Sequence, residues 1–571
     1  MRKRNKLFFA GLLVSVFLLF LGTQAVFAQS GDTLPDNWQL LDPQKDSVYG
    51  TSVNRAYQEL LKGKEPHRVI VAVIDSGVDT AQVDLKGHIW TNPGEIPGND
   101  MDDDHNGYVD DVHGWNFLGG KDGKSMVKAS SELDREYWRL RPEYGSVTDS
   151  NNVKKKDRPE YRYWLKIKKA RTQDSIKNKQ DLATVSMGLA RFDILDQMLR
   201  SRIRKDTLYL SDIQNFNTDN NDTLEMAKQI AVRVLGESDS RNSFEDFLSQ
   251  GKEYLDGIRQ NLDGLDKDPN ALRKEIVGDD WNDIKDTHYG NNDVTGHFAR
   301  HATHVAGIIA AIRNNGIGID GITNHVLIMP VKVVPDGDER DKDVALGIRY
   351  AVDNGANIIN MSFGKNYSPQ KKWVDDAVKY AEEHDVLLVH AAGNDGSNDD
   401  SIPTYPNPFF LDGKRADNFI TVGASSATDA DGHLAATFSN YGKKHVDLFA
   451  PGVNIYSTLP DNAYGTMSGT SMATPVVSGI AALVLEYYPT LTAKQLRWVL
   501  DHSVTKLDTV KVIQPGSSSD VMVPFSSLCI SGGIINAYNA LKLAATLKGE
   551  RDIKKDDRGL ARDVELEHQL Q

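Results

Sequence analysis

The 571-residue sequence predicts an α/β fold, a doubly wound and mostly parallel sheet sandwiched by helices. The first observation is a set of short, β-branched apolar runs typical of strands buried on both faces, at 69–75, 326–334, 357–364 and 386–394. The second is the helical spacing between two of these runs, where Val344, Ile348 and Val352 recur every four residues before Gly355. Strand, helix and strand in succession favour a parallel sheet.

The stretch from about 121 to 285 departs from this pattern, because its apolar residues follow helical spacing instead. Two sets show it: Leu182, Val185, Leu189, Phe192, Leu195 and Leu199, then Phe244, Phe247, Leu248, Leu255, Ile258, Leu262 and Leu265. We expect a helical insertion over 121–285 that divides one α/β domain into 29–120 and 286–548, followed by a charged tail over 549–571. A solvated spacer with partial helix is the alternative.

The first 28 residues have the three parts of a secretory signal peptide: a basic start, an apolar core from Leu7 to Leu21, and small residues before Gln29. We therefore expect an exported protein, periplasmic, cell-surface or extracellular. No later stretch is long and apolar enough for a stable membrane span in the mature protein. The net charge of −14 argues against nucleic-acid binding, and Cys529 as the single cysteine excludes an intrachain disulfide.

Three separate segments carry side chains able to do chemistry. Asp75 ends the run "VIVAVID", His301 lies in "GHFARHATHVAGIIAA" with His297 and His304, and Ser471 lies in a turn before an apolar helix. Each alone has an ordinary explanation: a turn cap, packing or metal-binding histidines, and a structural serine. Their order along the chain, Asp, His, Ser, is one of the known orders of a catalytic triad.

With these segments the chain resembles the subtilisin-like serine proteases, the subtilases of the peptidase S8 family. The residues that carry the resemblance are "VIDSGVD" (73–79), "RHATHVAGIIAA" (300–311), "AAGNDG" (391–396) and "GTSMATPVVSG" (469–479), supported by "INMSFG" and "FAPGVNIYST". It implies a serine endopeptidase acting on polypeptide substrates.

The resemblance also implies a role for each matching residue. Ser471 is expected to be the nucleophile, His301 its general base, and Asp75 the group that orients the imidazole. Asn394 is expected to donate to the oxyanion, with the backbone N–H of Ser471. Substrate would lie along two further segments: Ser362, Phe363 and Gly364 as an edge strand, and Ala391, Ala392 and Gly393 as a pocket wall.

One departure from the family pattern lies beside the predicted base. Where the family usually has glycine after the catalytic histidine, this chain has Ala302. The added methyl and the long insertion support an alternative, an impaired relative that binds a protein partner through its cleft and helical insertion. A different hydrolase on the same triad, an esterase or a peptide ligase, is a further alternative.

An acidic loop, "GNDMDDDHNGYVDD", holds six aspartates between positions 100 and 111. Asp102, Asp104 and Asn106 alternate before a glycine, and oxygen-only ligands favour a hard cation. We predict a structural Ca²⁺ here, held by the carboxylates and amide of Asp102, Asp104, Asn106, Asp110 and Asp111. An ordinary acidic turn is the alternative.

Overall fold

A computed structural model describes residues 34–237, 243–296 and 298–551. The predicted signal peptide, His297 and most of the predicted charged tail lie outside these residues. The described strands are β1 (Val69–Asp75), β2 (Trp115–Asn116), β3 (Val326–Lys332), β4 (Ile358–Met361), β5 (Leu387–Ala391), β6 (Phe419–Ser425), β7 (Leu448–Pro451), β8 (Ile455–Thr458), β9 (Tyr464–Met467), β10 (Thr505–Lys506), β11 (Lys511–Ile513), β12 (Met522–Pro524) and β13 (Gly533–Ile534).

Nine of these strands form one sheet in the order β10-β13-β7-β6-β5-β4-β1-β3-β2. All neighbours in it are parallel except β10 and β13. The chain thus runs outwards from β1 in both directions, and the expectation of a doubly wound, mostly parallel sheet is confirmed. Two antiparallel pairs, β8 with β9 and β11 with β12, lie outside it.

The described helices are α1 (Val53–Ala56), α2 (Glu132–Tyr144), α3 (Arg158–Ile203), α4 (Leu210–Gln214), α5 (Asp222–Glu237), α6 (Phe244–Asp263), α7 (Ala271–Ile276), α8 (Arg300–Ala310), α9 (Asp341–Asp353), α10 (Lys371–Glu383), α11 (Thr470–Tyr487), α12 (Ala493–His502) and α13 (Ala537–Ala544). A π-turn follows α1 at Tyr57–Leu61, and short 3-10 turns lie at Trp38–Leu40, Val83–Leu85, Ser150–Asn152, Ala430–Gly432 and Phe525–Ser527.

The sheet has a hydrophobic core on each face, because side chains alternate along every strand. Val71 and Val73 of β1 point into one core, which includes α8 and α11. Ala72 and Ile74 point into the other, which includes α9 and α10. The β-branched runs are therefore apolar at every position because both faces of the sheet are covered.

Helix α11 is the central helix of the first core. It is the one helix among the described residues that is long and apolar enough to cross a membrane, and 94% of that apolar window is buried inside the protein. Burial against the sheet accounts for its composition. Its first turn carries Ser471, so the predicted nucleophile is part of the central core helix.

The inserted region forms a separate compact unit over 133–269. Its core joins α3 and α6 through residues of both predicted helical sets, including Leu189, Phe192, Phe247 and Ile258. Rings of Phe192 and Phe247 meet edge to face at 5.3 Å. The apolar spacing read from the sequence therefore corresponds to buried helical faces.

The unit is shorter than the predicted 121–285 at both ends. Residues 121–132 and 270–285 belong to the α/β unit, where Met126 and Val277 pack into the second core. Arg273, in α7, is fully buried there and binds Asp279 and Asp343. Charge patterning alone cannot distinguish the buried ion pair of Arg273 and Asp279 from the charges of a solvated linker.

Candidate active site

The carboxyl end of β1 holds Asp75 against the first turn of α8. His301 Nδ1 lies 2.8 Å from Asp75 Oδ1 and 2.9 Å from Asp75 Oδ2, and both side chains are buried. Because a carboxylate only accepts hydrogen bonds, the imidazole proton is on Nδ1 and Nε2 carries the lone pair. In this tautomer a histidine can act as a general base through Nε2.

Hydrogen bonds around this pair fix the strand end against the helix. The Ser76 backbone N–H donates to Asp75 Oδ1 at 2.7 Å, and the Ser76 hydroxyl donates to the Phe298 carbonyl at 2.9 Å. One turn further, the Asp79 N–H donates to Thr303 Oγ1 at 2.9 Å. The imidazole is thus oriented by its carboxylate, and the carboxylate is oriented by backbone.

His304 lies one turn along α8 and has a different environment. Its Nε2 is 3.0 Å from the Gly465 carbonyl, and complete burial lowers its pKa to about 3. The ring is therefore neutral at ordinary pH and serves packing. Among the described residues, no group of metal-ligating side chains includes His301 or His304.

Ser471 is joined to the end of β4 by a reciprocal pair of hydrogen bonds. The Ser471 hydroxyl donates to the Ser362 carbonyl at 2.7 Å, and the Ser362 hydroxyl donates to the Ser471 carbonyl at 2.9 Å. Asn360 Nδ2 donates to the Ser362 hydroxyl at 3.0 Å, and Ser478 donates to Asn360 Oδ1 at 2.9 Å. This chain of bonds links the first and third turns of α11 to the sheet.

Strand register places Asp75 beside this junction. Ile74 of β1 pairs with Met361 of β4, so Asp75 and Ser362 are the next residues on neighbouring parallel strands. Parallel strands present their carboxyl ends at one edge of a sheet, where active sites of such folds lie. The three predicted triad residues therefore gather at this edge.

Asn394 follows β5 and is held by Thr470, the residue before Ser471. Its Oδ1 accepts from the Thr470 N–H at 2.8 Å and from the Thr470 hydroxyl at 3.0 Å. Because an N–H cannot accept a hydrogen bond, the amide oxygen must face Thr470, and the amide NH₂ points away from it. The NH₂ is thus a donor with a fixed direction, next to the helix N-terminus that carries Ser471.

The predicted substrate-binding segments follow two neighbouring strands. Ser362 and Gly364 continue β4, while Ala391 and Gly393 end or continue β5, and Met361 of β4 pairs with His390. Phe363 and Ala392 are buried between these positions. A side chain at Gly364 would come within 2.9 Å of Thr404 Cγ2, and one at Gly393 within 2.5 Å of Asn440 Nδ2. Glycine at both positions therefore allows the close approach of Thr404 and Asn440 to these segments.

Asn440, which the sequence did not single out, organises the loop after Asn394. Its Nδ2 donates to the Ala392 carbonyl at 3.0 Å, and its Oδ1 accepts from the N–H groups of Asp395 and Ser397 at 3.0 Å each. Its backbone N–H donates to the Gly393 carbonyl at 2.9 Å. Asn440 thus holds both the predicted pocket wall and the loop that follows it.

In the acidic loop, the structure brings two of the five predicted ligands together. Carboxylate oxygens of Asp104 and Asp111 lie within 4.8 Å of each other and of Glu95, which the sequence did not indicate. Burial raises the pKa of Asp111 to about 7, and burial also raises the pKa of Glu95. Glu95 Oε2 is buried with no hydrogen-bond partner, which marks the space between these three carboxylates as a polar site.

The other three predicted ligands have backbone partners. Asp102 accepts from the N–H groups of Asn106 and Gly107, and Asp110 accepts from those of Gly98 and Asp100. The Asn106 amide oxygen accepts from the Tyr108 N–H at 2.8 Å, while its NH₂ donates to Asp104 and Asp111. These side chains shape the loop around the three-carboxylate cluster.

Comparison with known proteins agrees with this geometry. A family model described as "Subtilase family" matches residues 67–516, so the chain belongs to the subtilase family. It is 39% identical over 208 residues to a thermostable alkaline protease of Halalkalibacterium halodurans, a match that covers 36% of this chain and 53% of that protein.

Two further relatives show the same level of similarity. Subtilisin BL of Lederbergia lenta is 38% identical over 217 residues, covering 38% of this chain and 74% of the relative. The major intracellular serine protease of Bacillus subtilis is 38% identical over 229 residues, covering 39% of this chain and 66% of the relative. The chain thus spans about half to three quarters of the length of these relatives.

Asn394→Ala should lower kcat by about a hundred- to a thousand-fold with little change in KM, because it removes a donor that acts on developing charge. Thr470→Val keeps the backbone donor to Asn394 Oδ1 but removes the hydroxyl, so a smaller loss, roughly tenfold, is expected. Thr474→Val is the matched control, since its hydroxyl bonds only to the Thr470 carbonyl. Steady-state peptide hydrolysis measures all three, and wild-type kcat in Asn394→Ala would contradict the assignment.

Ala302→Gly should lower stability without raising activity. Ala302 is fully buried in the first core, and His301 reaches Asp75 with the methyl in place. Glycine within a helix costs about 0.5–1 kcal/mol relative to alanine. Thermal unfolding and kcat/KM on one peptide check this, with Ala310→Gly in the same helix as control. A rise in kcat/KM specific to Ala302→Gly would mean that the methyl displaces the imidazole.

Proposed function

We propose that this protein is a serine endopeptidase that hydrolyses peptide bonds with Ser471 as nucleophile, His301 as general base and Asp75 as its orienting carboxylate. The observation that carries the proposal is the hydrogen bond of 2.8 Å between His301 Nδ1 and Asp75. It leaves Nε2 as the basic nitrogen, which is the requirement for activating a serine hydroxyl. Family membership supports the same reaction class.

In the first step, Ser471 Oγ attacks the carbonyl carbon of the scissile bond and its proton passes to His301 Nε2. The hydroxyl proton points to the Ser362 carbonyl in the resting structure, so the hydroxyl turns towards His301 as substrate binds. Asp75 stabilises the imidazolium that forms. Negative charge then develops on the substrate oxygen.

That oxyanion is stabilised by the Asn394 NH₂ and the Ser471 backbone N–H. The latter belongs to the first turn of α11, whose N–H groups have no acceptor within the helix and lie at the positive end of its dipole. His301 then donates its proton to the leaving amine, which releases the first product and leaves an acyl group on Ser471. Water, deprotonated by the same imidazole, completes hydrolysis.

Two alternatives differ from this proposal in testable ways. A catalytically impaired relative would use the cleft and the helical unit for binding alone, and the intact Asp75, His301, Asn394 and Ser471 argue against it. An esterase or a peptide ligase would form the same kind of acyl-enzyme. An esterase would form it from an ester, and a ligase would pass the acyl group to an amine instead of water. The edge-strand segment around Ser362 favours extended peptide as the acyl donor.

We also infer export, on the strength of the leader-like first 28 residues. The helical unit is proposed to restrict the cleft or to bind a protein partner. Glu132, the residue before the unit, forms a 2.8 Å ion pair with Lys365, which directly follows the predicted substrate segment 362–364. This position supports an influence on substrate access.

A structural Ca²⁺ is proposed between Glu95, Asp104 and Asp111. The three carboxylates fit a hard cation because they converge within 4.8 Å and one buried oxygen of Glu95 has no partner. Bound calcium would supply the positive charge that keeps all three groups ionised. Residues Asn92 and Asn106 would hold the site's shape by their hydrogen bonds to Asp104 and Asp111.

A fluorophosphonate probe should label the wild-type protein covalently, because it traps an activated serine, and labelling should be lost in Ser471→Ala. Ser468→Ala is a suitable control, since that serine lies in the same turn and bonds Asn454. Mass spectrometry of the labelled peptide locates the adduct. Absence of labelling in folded wild-type protein would favour the binding-protein alternative, and labelling without peptide cleavage would favour another hydrolase.

Calcium should raise the thermal unfolding midpoint, because at a concentration a hundredfold above Kd it adds about 2.7 kcal/mol to the free energy of unfolding. Glu95→Gln and Asp111→Asn should each remove part of the increase and one Ca²⁺ from the stoichiometry measured by titration calorimetry. Asp412→Asn, an exposed carboxylate elsewhere, is the control. Because burial raises the pKa of Asp111 to about 7, affinity should fall as the pH drops below 7. Unchanged stoichiometry in both variants would contradict this site.

A further inference from the structure

A two-stranded hairpin near the end of the described chain lies outside the main sheet and has no part in the catalytic steps proposed above. Its strands β11 and β12 pair in antiparallel register, with Ile513 opposite Met522. We call residues 514–521, which join the two strands, the hairpin tip. The Gln514 N–H donates to the Val521 carbonyl at 2.8 Å, so the base of the tip is closed by a hydrogen bond.

The hairpin tip touches the loop that carries the predicted oxyanion donor. This loop, residues 394–399, is called the oxyanion loop here; it begins at Asn394 and contains Gly396 two residues later. A side chain on Gly516 of the tip would come within 2.3 Å of the Gly396 carbonyl oxygen, and one on Gly396 would come within 2.6 Å of Gly516 Cα. The two backbones therefore approach each other as closely as only a pair of glycines allows.

A third segment, residues 437–441, binds both the hairpin tip and the oxyanion loop. The Gly516 N–H donates to the Thr437 carbonyl at 2.9 Å, and the Gly396 N–H donates to the Phe438 carbonyl at 2.9 Å. Consecutive carbonyl groups thus accept one hydrogen bond from each glycine. The close approach of the two glycines is therefore fixed by a shared support and does not depend on their own contact alone.

Tyr441, at the end of this segment, joins the tip and the loop a second time. Its hydroxyl accepts a hydrogen bond from the Gln514 side chain of the tip. Its backbone N–H donates to the Ser397 carbonyl at 3.0 Å, and its carbonyl accepts from the Asp399 N–H at 2.8 Å. Asn440, the residue before it, accepts from the Ser397 N–H at 3.0 Å through its side chain. The oxyanion loop is thus held along its length by residues that also contact the tip.

The base of the hairpin is anchored by a small hydrophobic core. Val512 of β11 and Phe525, directly after β12, are fully buried in a cluster that also includes Ala392 and Cys529. Pro515 of the tip is buried as well. Because the hairpin is anchored in this way, it can restrain the position of the loop that it touches.

We propose that the hairpin tip positions the oxyanion loop, and that Gly516 is a positioning residue that acts through Gly396 on Asn394. The inference rests on the proposed peptidase function and adds a positioning element to it. The Asn394 NH₂ acts on charge that develops only in the transition state, so its placement affects kcat more than substrate binding. Errors near 1 Å in such a group cost about a hundredfold in rate.

Gly516→Ala should lower kcat by about ten- to a hundredfold, because the added methyl cannot fit against the Gly396 carbonyl and the tip and loop must separate. KM should change by less than about twofold, since the contacts of the bound peptide are kept. Gly413→Ala is the matched control. Its φ is +81°, against +72° at Gly516, and among the described residues an added Cβ there meets nothing within 4 Å beyond its chain neighbours. Steady-state kinetics on one peptide, with thermal unfolding, measure both variants.

A second variant tests the inference independently of the folding of Gly516→Ala. Because Ile513 and Met522 are an antiparallel pair, an Asn-Gly turn can replace residues 514–521 and still close the hairpin. This replacement removes Gly516 and Gln514 but keeps both strands and the core beneath them. The same loss of kcat with KM retained is expected.

A double-mutant cycle shows whether the loss of kcat occurs through Asn394. In an Asn394→Ala background, Gly516→Ala or the shortened tip should lower kcat by less than about twofold, because the donor that they displace is already absent. A general effect on stability or on the nucleophile would lower kcat by the same factor in both backgrounds.

Two outcomes would overturn the inference. One is a wild-type kcat in both the Gly516→Ala variant and the shortened variant, and the other is an equal loss of kcat with and without Asn394. In either case, peptide cleavage and fluorophosphonate labelling of Ser471 by the wild-type protein would leave the peptidase assignment standing. Absence of both cleavage and labelling in folded wild-type protein would overturn the two proposals together.

Discussion

The two hydrogen bonds exchanged by Ser362 and Ser471 are the junction on which the site depends. They join the carboxyl end of β4 to the first turn of α11, and the bonds through Asn360 and Ser478 extend the junction into the core. Each bond contributes about 1 kcal/mol to stability, so the importance of the junction is geometric rather than energetic. It fixes the position of the predicted nucleophile, Ser471, relative to the end of β4, where substrate is predicted to bind.

The same turn of α11 fixes the predicted oxyanion donor. Thr470 binds Asn394 Oδ1 twice, and its hydroxyl also accepts from the Gly393 N–H at 3.2 Å. The predicted nucleophile, oxyanion donor and pocket wall are thus positioned by Thr470 and Ser471, two consecutive residues of one buried helix. A rigid core helix suits this role, because errors near 1 Å in such groups cost about a hundredfold in rate.

The features that can be predicted from the sequence are those encoded in short contiguous segments. The buried strands and α11 follow from local apolar patterns. The pairing of Asp75 with His301 was predicted only from the resemblance to the subtilases. Asn440 was missed because its amide acts on residues distant in the chain, through carbonyls and N–H groups that have no sequence signal. The burial of Asp399 also has no sequence signal, because an aspartate beside Asp400 in a polar loop looks solvent-exposed.

In the acidic loop, the sequence predicted more metal ligands than the structure brings together. Alternating Asp102, Asp104 and Asn106 indicated a set of ligands, but short polar side chains also bind neighbouring backbone N–H groups, and this local chemistry engages Asp102 and the Asn106 oxygen. Glu95 lies before the acidic run, and only folding brings it to Asp104 and Asp111. Residue spacing predicts that a loop is acidic, while backbone conformation decides which oxygens converge.

A large insertion is compatible with this site because the α/β chain is held by ion pairs on both sides of the insertion. These ion pairs reach the first turn of α9. Lys365 binds Glu132 and Asp341, while Arg273 binds Asp343 and Asp279. Asp341 and Asp343 both lie in the first turn of α9. Charges at an α-helix N-terminus favour these carboxylates.

The loop-closure cost of an insertion grows only slowly with its length, by about 0.6 kcal/mol per doubling. The anchor also has a consequence for the cleft, because Lys365 directly follows Gly364 and its backbone pairs with Tyr405 of the loop that leads from Asp399. Removing one member of a buried ion pair leaves an uncompensated charge and costs about 3–5 kcal/mol. Glu132, the last residue of the α/β unit before the insertion, is therefore held by Lys365, directly after the predicted substrate-binding segment.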